Sequence, residues 1–233
     1  PDLAEGDAQN RLAEAIFMAS RVNAEDPVAS WKTHNQKLKE KREWLNQKDF
    51  KEIHFKGPGT DLKVGLADDH EWMGGASMAQ NGVICNPNIP SEEVFTTPHA
   101  QRVEGYVSST KPLSHQGTLI DNIRVVFEKG SITDAKASKG ETVLKKVLES
   151  DEGARRLGEV ALVPNSSPIS NSGLLFYNTL FDENAACHIA LGQCYSKCFK
   201  GETNLSTSEI RERGGNSSMI HVCLLYTSDA ADD

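Results

Sequence analysis

The chain of 233 residues is acidic, with a formal net charge of −8 and a sequence pI of about 5.4. An acidic surface disfavours nucleic acid and anionic membranes as partners, because both bind basic proteins. The 38% hydrophobic and 25% charged residues are typical of a globular protein, and no apolar run approaches the roughly 20 residues that span a bilayer.

Two helices are predicted at the start of the chain. Residues 11–24 repeat apolar side chains at helical spacing, and Asp26-Pro27 ends that stripe. Pro27 fits the first turn of a second helix over about residues 27–46, whose apolar positions recur every seven residues. The remaining positions of this helix are charged, which is typical of a solvated surface element.

The rest of the chain is rich in strands. Alternating or short apolar runs predict strands at residues 50–55, 62–66, 103–109, 124–127, 132–137, 159–163 and 219–222, with a hairpin connection at residues 128–131. Helical spacing predicts helices at residues 141–149 and 180–191, the second ended by Gly192. Strands and helices do not alternate regularly. We therefore expect an α+β fold, with a mainly antiparallel sheet or barrel-like catalytic domain and flanking helices.

Five cysteines are an odd count without a disulfide rhythm, which favours a reduced and hence cytoplasmic compartment. Cys194 and Cys198 are spaced like half of a zinc site, but no second Cys or His pair lies at finger spacing. Buried free thiols are therefore the preferred interpretation of these two residues.

Acidic residues and histidines recur in or beside the apolar elements, at Glu93, Glu159, Glu183, His188 and His221. Taken singly, each has a plain interpretation, either a solvated carboxylate or a hydrogen-bonded core histidine. Acids embedded in apolar elements are costly unless a cation pairs with them. Several of them in one domain therefore predict a shared cation.

The mixture of Glu and His suits zinc, cobalt or manganese better than calcium. Several carboxylates carry more negative charge than one divalent ion balances, so the set predicts two ions about 3.5–4 Å apart with a bridging carboxylate. A water shared by the ions would lose a proton and act as the nucleophile. A nearby Glu would exchange that proton, and a phenol such as Tyr195 would donate to the oxyanion.

Four long segments between about Pro27 and Val222 carry a family resemblance: HFKGPGTDLKVGL, NIPSEEVFTTPHAQRVEGYVSSTKPLSHQGTLI, GARRLGEVALV and NTLFDENAACHIALG. They closely resemble the thermophilic metallo-aminopeptidase family. The resemblance implies a cytosolic homodimeric exopeptidase that acts on peptides, with no nucleic-acid or membrane partner. It also implies two divalent ions, of zinc, cobalt, manganese or magnesium, in the C-terminal domain.

The resemblance further implies roles for single residues. Family metal ligands match Glu93, Glu159 and His188, with Glu183 as an additional ligand and His221 as the first half of a His-x-Asp pair. Tyr195 matches the active-site tyrosine, and Glu92, next to a ligand, is the candidate general base. The expected reaction removes N-terminal residues: the metals bind the free amine and the scissile carbonyl, and the bridging hydroxide attacks.

The chain departs from the family at Cys223, which stands where the His-x-Asp pair requires an aspartate. Residues 223–233 lack periodicity and match a translated sequencing adapter, so we expect a non-native tail. We expect residues 1–47 to be the end of an otherwise missing N-terminal domain and residues 48–222 to be an incomplete catalytic domain. This fragment is expected to be inactive. Two alternatives stay open: a non-catalytic metal-binding or interaction module, and a related metal amidohydrolase.

Overall fold

A computed structural model of the chain describes residues 5–201 and 204–225. The helices are α1 (Glu5–Ala19), α2 (Pro27–Lys48), α3 (Glu141–Leu148), α4 (Pro168–Ser172), α5 (Thr179–Asp182) and α6 (Thr207–Glu212). The strands are β1 (Glu52–Gly57), β2 (Thr60–Leu66), β3 (Ser77–Met78), β4 (Ile84–Cys85), β5 (Val94–Thr96), β6 (Pro98–Ser108), β7 (Leu113–His115), β8 (Thr118–Ile120), β9 (Arg124–Glu128), β10 (Ser131–Lys136), β11 (Leu157–Leu162), β12 (His188–Gly192) and β13 (His221–Leu225). Short 3-10 turns lie at Glu152–Arg155, Glu183–Ala185 and Ser196–Cys198.

The strands form two main sheets, and both are antiparallel. The larger sheet has the strand order β1-β2-β6-β9-β10, and the smaller has the order β13-β12-β11-β5. Two separate ribbons pair β3 with β4 and β7 with β8. The expected α+β fold with antiparallel sheets and flanking helices is confirmed. Within the described residues, the sheets stay open instead of closing into a barrel.

One hydrophobic core joins both sheets to helix α2. The larger sheet contributes the alternating residues Leu62, Val64 and Leu66, each at most 1% exposed. Leu38 and Leu45 of α2 belong to the same cluster, as their sevenfold spacing requires. Helix α2 is therefore packed on the sheets through its apolar stripe.

Helix α2 begins and docks through specific hydrogen bonds. Asp26 accepts one from the Ala29 amide at 2.9 Å, and Pro27 occupies the first turn, where no backbone donor is needed. Near its other end, the Asn46 amide group binds both the carbonyl and the amide of Trp72, at 3.1 and 2.7 Å. This pair holds α2 against a segment that lines the candidate site.

The helix predicted over residues 180–191 is wrong. The structure divides this segment into α5, a 3-10 turn at Glu183–Ala185 and strand β12. Short apolar runs fit a buried strand as well as a helix, and here tertiary pairing decides. β12 is hydrogen-bonded on one side to β11 and on the other to β13. Consequently Glu183 and His188 do not share a helix, nor do His188 and Tyr195.

The last described strand, β13, continues past residue 222, the predicted end of the catalytic domain. Cys223, Leu224 and Leu225 pair with Ala190, Ile189 and His188 of β12. Cys223 and Leu224 are 5% and 4% exposed, so the first part of the supposed tail is built into the sheet. Residues 226–233 lie outside the described residues. In the described part of the chain, no helix has both the length and the apolarity that crossing a membrane requires.

Candidate metal centre

The smaller sheet has two chemically different faces. The side chains of its apolar face pack in the main core; they are Val94, Val160, Ile189, Leu191, Val222 and Leu224. Successive side chains of a strand point to opposite faces, so the intervening residues share the other face. The strand register places Ala190 between Glu159 on one side and Cys223 on the other. The small side chain of Ala190 leaves room for the larger polar groups around it.

A bulge sets the direction of Glu159. The pairing of β11 with β12 shifts register between Leu157 and Glu159, at Gly158. A Cβ atom on Gly158 would lie 2.3 Å from the Gln193 carbonyl oxygen and 2.4 Å from that of Gly192, so only glycine fits there. Bulges re-aim the neighbouring side chain, and here Glu159 is turned onto the polar face.

Glu159 lies between two histidines. Its Oε1 atom is 3.8 Å from His188 Nε2, and its Oε2 atom is 3.2 Å from His221 Nε2. His188 Nε2 is also 3.2 Å from Glu93 Oε2, and candidate ligand atoms of Glu93, Glu159 and His188 all lie within 4.8 Å of one another. Glu93, Glu159, His188 and His221, which lie far apart in the sequence, are thus neighbours in the structure.

Glu183 joins this cluster from the 3-10 turn that precedes β12. Its Oε2 atom is 3.3 Å from Cys223 Sγ, which donates a hydrogen bond to it. Ligand atoms of Glu183, His188 and Cys223 form a second group within 4.8 Å of one another. Cys223 is not among the predicted ligands, although it occupies the position at which the His-x-Asp pair requires an aspartate. The strict alternation His221-Val222-Cys223 could have revealed it.

The backbone orients both histidines. Nδ1 of His188 lies 3.1 Å from the Ala186 carbonyl oxygen, and Nδ1 of His221 lies 2.8 Å from that of Gln193. A carbonyl only accepts hydrogen bonds, so we assign a proton to Nδ1 in each ring. Nε2 is thereby turned toward the carboxylates, which is the arrangement that positions imidazole as a metal ligand.

The charges of the cluster are strongly coupled. Burial opposes a charge on His188, but Glu93, Glu159 and Glu183 outweigh it and raise the pKa of His188 to about 10. Burial, reinforced by Glu93 and Glu159, raises the pKa of Glu183 to about 7. The pKa of His221 is also raised, because its hydrogen bond to Glu159 and the charge of that carboxylate outweigh burial. The buried carboxylates of the cluster therefore favour positive charge beside them.

The residues present fit a divalent metal ion. Oε2 of Glu93 is buried and has no hydrogen bond of good geometry, although it is 3.2 Å from His188 Nε2. An acceptor of this kind is costly to bury unless a cation binds it. Imidazole, carboxylate and thiol donors together suit zinc or cobalt, and the imidazole and carboxylate groups also suit manganese.

Tyr195 lies beside the cluster at the wall of a cavity of about 680 Å³. Its ring centre is 5.0 Å from that of His221 and 5.7 Å from that of Phe95. Burial and the nearby Glu159 raise the pKa of the phenol above its usual value, so it keeps its proton as a donor. Lys197, with Nζ 5.2 Å from the Tyr195 ring centre, lines the same cavity, as does Arg42 of α2.

Glu92 points away from the cluster. It is 2% exposed, and both of its oxygens bind the guanidinium of Arg21. Glu92 is not among the residues that line the cavity. Its carboxylate is therefore not placed to exchange a proton with a substrate there, and the general-base role expected from its position next to Glu93 is not supported.

Cys194 and Cys198 are buried free thiols, each 3% exposed or less. Burial raises the pKa of Cys194 to about 11 and also raises that of Cys198. Among the residues described, neither belongs to a group of possible metal ligands. These observations agree with the interpretation of both residues as buried free thiols.

The chain is similar to known metalloproteases and aminopeptidases. Residues 1–232 match the family described as Thermophilic metalloprotease (M29). The chain is 53% identical to Aminopeptidase T of Thermus thermophilus over 232 residues, which are 100% of this chain and 56% of that protein. It is 48% identical to Aminopeptidase 2 of Geobacillus stearothermophilus over 227 residues, which are 97% of this chain and 55% of that protein.

A solved structure shares the fold. Wild-type AmpT from Thermus thermophilus superposes with a TM-score of 0.91 and 51% identity, over 98% of this chain and 55% of that chain. The chain spans about half the length of the curated relatives it matches. The family resemblance read from the sequence is confirmed, and with it a divalent metal is implied. The chain belongs to the thermophilic metalloprotease (M29) family.

Proposed function

We propose that this protein is a metal-dependent aminopeptidase in which Glu93, Glu159, Glu183, His188 and His221 hold two divalent ions. The position of Glu159 carries the proposal, because each of its oxygens faces a different histidine, at 3.8 and 3.2 Å. A carboxylate placed in this way is suited to bridge two cations. We also propose that residues 1–47, whose described part is the helical segment of residues 5–47, end an N-terminal domain, and that residues 48–222 form the metal-binding domain.

The bound ions would supply Lewis-acid chemistry, polarising a carbonyl and lowering the pKa of water. The chain's own groups would position the peptide. Tyr195 reaches the cavity with a protonated phenol and would donate a hydrogen bond to the oxygen of the scissile carbonyl. Phe95 and His221, the ring neighbours of Tyr195, restrict the direction of that donor.

The distribution of charge in the cavity favours a peptide over a simple amide. Arg42 and Lys197 contribute cations to the lining, whereas Glu93, Glu159 and Glu183 would be neutralised by the ions that they hold. The two cations would attract the carboxylate at the C-terminal end of a short peptide. A simple amide lacks this group.

The alternative of a non-catalytic metal-binding module is favoured by one observation, the thiol of Cys223 beside Glu183 at 3.3 Å. A thiolate that completes a four-ligand zinc site closes the coordination position that catalysis needs. Under this alternative the chain binds zinc tightly and does not turn over substrate.

Hydrolysis of aminoacyl chromogenic substrates, with and without added Zn²⁺, Co²⁺, Mn²⁺ or Mg²⁺, tests the proposal. In a full-length form that carries Cys223→Asp, we expect metal-dependent release of the chromophore that a chelator abolishes, whereas the 233-residue chain itself should release little or none. The N-acetylated form of each substrate is the matched control, because an aminopeptidase requires the free amine. Metal binding without turnover favours the non-catalytic module, and equal hydrolysis of acetylated substrates or simple amides favours an amidohydrolase. A homodimer and a cytoplasmic location remain predictions from the family.

A further inference from the structure

Arg21 of the helical segment binds the carboxylate of Glu92, the residue next to the candidate ligand Glu93. Arg21 lies in the turn after α1, in the left-handed conformation with φ 58. Its two terminal nitrogens bind the two oxygens of Glu92, with Nη2 2.8 Å from Oε2. The side chains are 16% and 2% exposed, so this two-pronged ion pair is largely buried. Planar pairing of this kind fixes orientation as well as distance.

A second contact of the helical segment holds the backbone before Glu92. Nε2 of His34 lies 2.7 Å from the Ser91 carbonyl oxygen, and Nδ1 lies 3.3 Å from Arg21 Nη2. The carbonyl can only accept and the guanidinium can only donate, so His34 is neutral with its proton on Nε2. Burial agrees with this assignment, since it lowers the pKa of His34.

The α5 helix and the 3-10 turn that follows it hold the same segment through another contact. The Glu92 amide donates to Asn184 Oδ1 at 2.6 Å, and Asn184 is itself fixed by donating to the Leu180 carbonyl at 2.8 Å. Contacts thus fix three groups of this segment: the carbonyl of Ser91, the backbone amide of Glu92 and the carboxylate of Glu92. The next residue, Glu93, points the opposite way, toward His188. Any shift of Glu92 must therefore move Glu93.

We propose that the Arg21–Glu92 ion pair positions Glu93, so that the helical segment controls metal binding in the rest of the protein. Glu92 acts here as a positioning residue and does not touch substrate. The metal-binding part of this inference rests on the proposed ligand role of Glu93. Partners that orient a ligand typically contribute about 10–100-fold to metal affinity.

Titration with Co²⁺, followed by its visible absorption, measures the effect. We expect Glu92→Gln and Arg21→Gln each to weaken Co²⁺ binding about tenfold. The double variant should be no weaker than either single variant, because both remove the same pair. Leu45→Ala is the matched control: it truncates the core contact of α2 and lowers stability, but leaves the ion pair intact. Its affinity for Co²⁺, measured well below its melting temperature, should stay at the wild-type value.

Hydrogen exchange of the metal-free proteins provides a readout that does not depend on metal. Backbone amides in residues 91–95 should exchange faster in Glu92→Gln than in the wild type, while Leu45→Ala leaves them protected. Equal loss of Co²⁺ affinity in Leu45→Ala, or unchanged exchange in Glu92→Gln, would overturn the positioning role. If the wild type binds no Co²⁺, the proposed function fails. The exchange data still decide whether the ion pair holds this segment.

Discussion

The end of strand β13 provides a test of where the native fold stops. Two truncations bracket it: one removes residues 226–233, and the other removes residues 223–233. The longer deletion takes away Leu224 and Cys223, 4% and 5% exposed, together with their pairing to β12. Burial of a leucine contributes about 1.5–3 kcal/mol, and each hydrogen bond contributes about 0.5–1.5 kcal/mol. The longer deletion should therefore lower the free energy of unfolding by roughly 4–6 kcal/mol. This is a large part of the ~5–15 kcal/mol that stabilises a domain.

Urea denaturation in the presence of a chelator measures this loss without a contribution from bound metal. We expect the deletion of residues 223–233 to lower the midpoint strongly. A non-native tail over the whole of residues 223–233 would instead predict no effect of either deletion. Because Cys223 and Leu224 are built into the sheet, we expect only the deletion of residues 226–233 to leave the midpoint unchanged. Equal midpoints for the longer deletion and the full chain would refute the structural role of Cys223 and Leu224. A large effect of the shorter deletion would instead show that residues 226–233 contribute to the fold.

Four further predictions concern the metal centre. In an active full-length form, Tyr195→Phe should lower kcat about 10²–10³-fold while the metal content stays unchanged, because only an oxyanion donor is removed; loss of metal would contradict this role. Glu159→Gln should reduce metal content by elemental analysis together with activity, since a neutral amide is a poor bridge between cations. Affinity for Zn²⁺ should rise from pH 6 to pH 8, because metal binding must displace protons held by Glu183 and His188, whose pKa values are raised to about 7 and about 10. Calorimetry in buffers of different ionisation enthalpy counts those protons, and an affinity independent of pH would refute the assignment. Cys223→Asp should shift the metal preference from Zn²⁺ toward Mn²⁺ and Mg²⁺, as measured by competition, because a soft thiol is replaced by a hard carboxylate.

Local sequence determined which face of each strand carries the chemistry. Glu159 and His221 each lie in or at the head of a short apolar run that was predicted as a strand. Alternation is a property of one strand by itself, so a polar face and an apolar face could be separated there. The candidate ligands were predicted from acids and histidines in apolar elements together with the family resemblance.

Tertiary structure decided the conformation of residues 188–192 and the inclusion of Cys223. The run His-Ile-Ala-Leu-Gly fits a helix or a strand, and it becomes a strand because β11 and β13 satisfy its hydrogen bonds on both sides. Cys223 lies in the sheet because its strand finds β12, a pairing partner more than thirty residues away along the chain.

The same distinction explains Glu92 and Glu93. Two adjacent glutamates offer no local reason why one should face the metal centre and the other should face away. Arg21, which is 71 residues distant in sequence, binds Glu92, while His188 lies beside Glu93. The sequence by itself determined that neighbouring side chains on an extended segment diverge. Only the tertiary structure decided which carboxylate received the guanidinium, because the partners are brought together by the packing of helices on sheets.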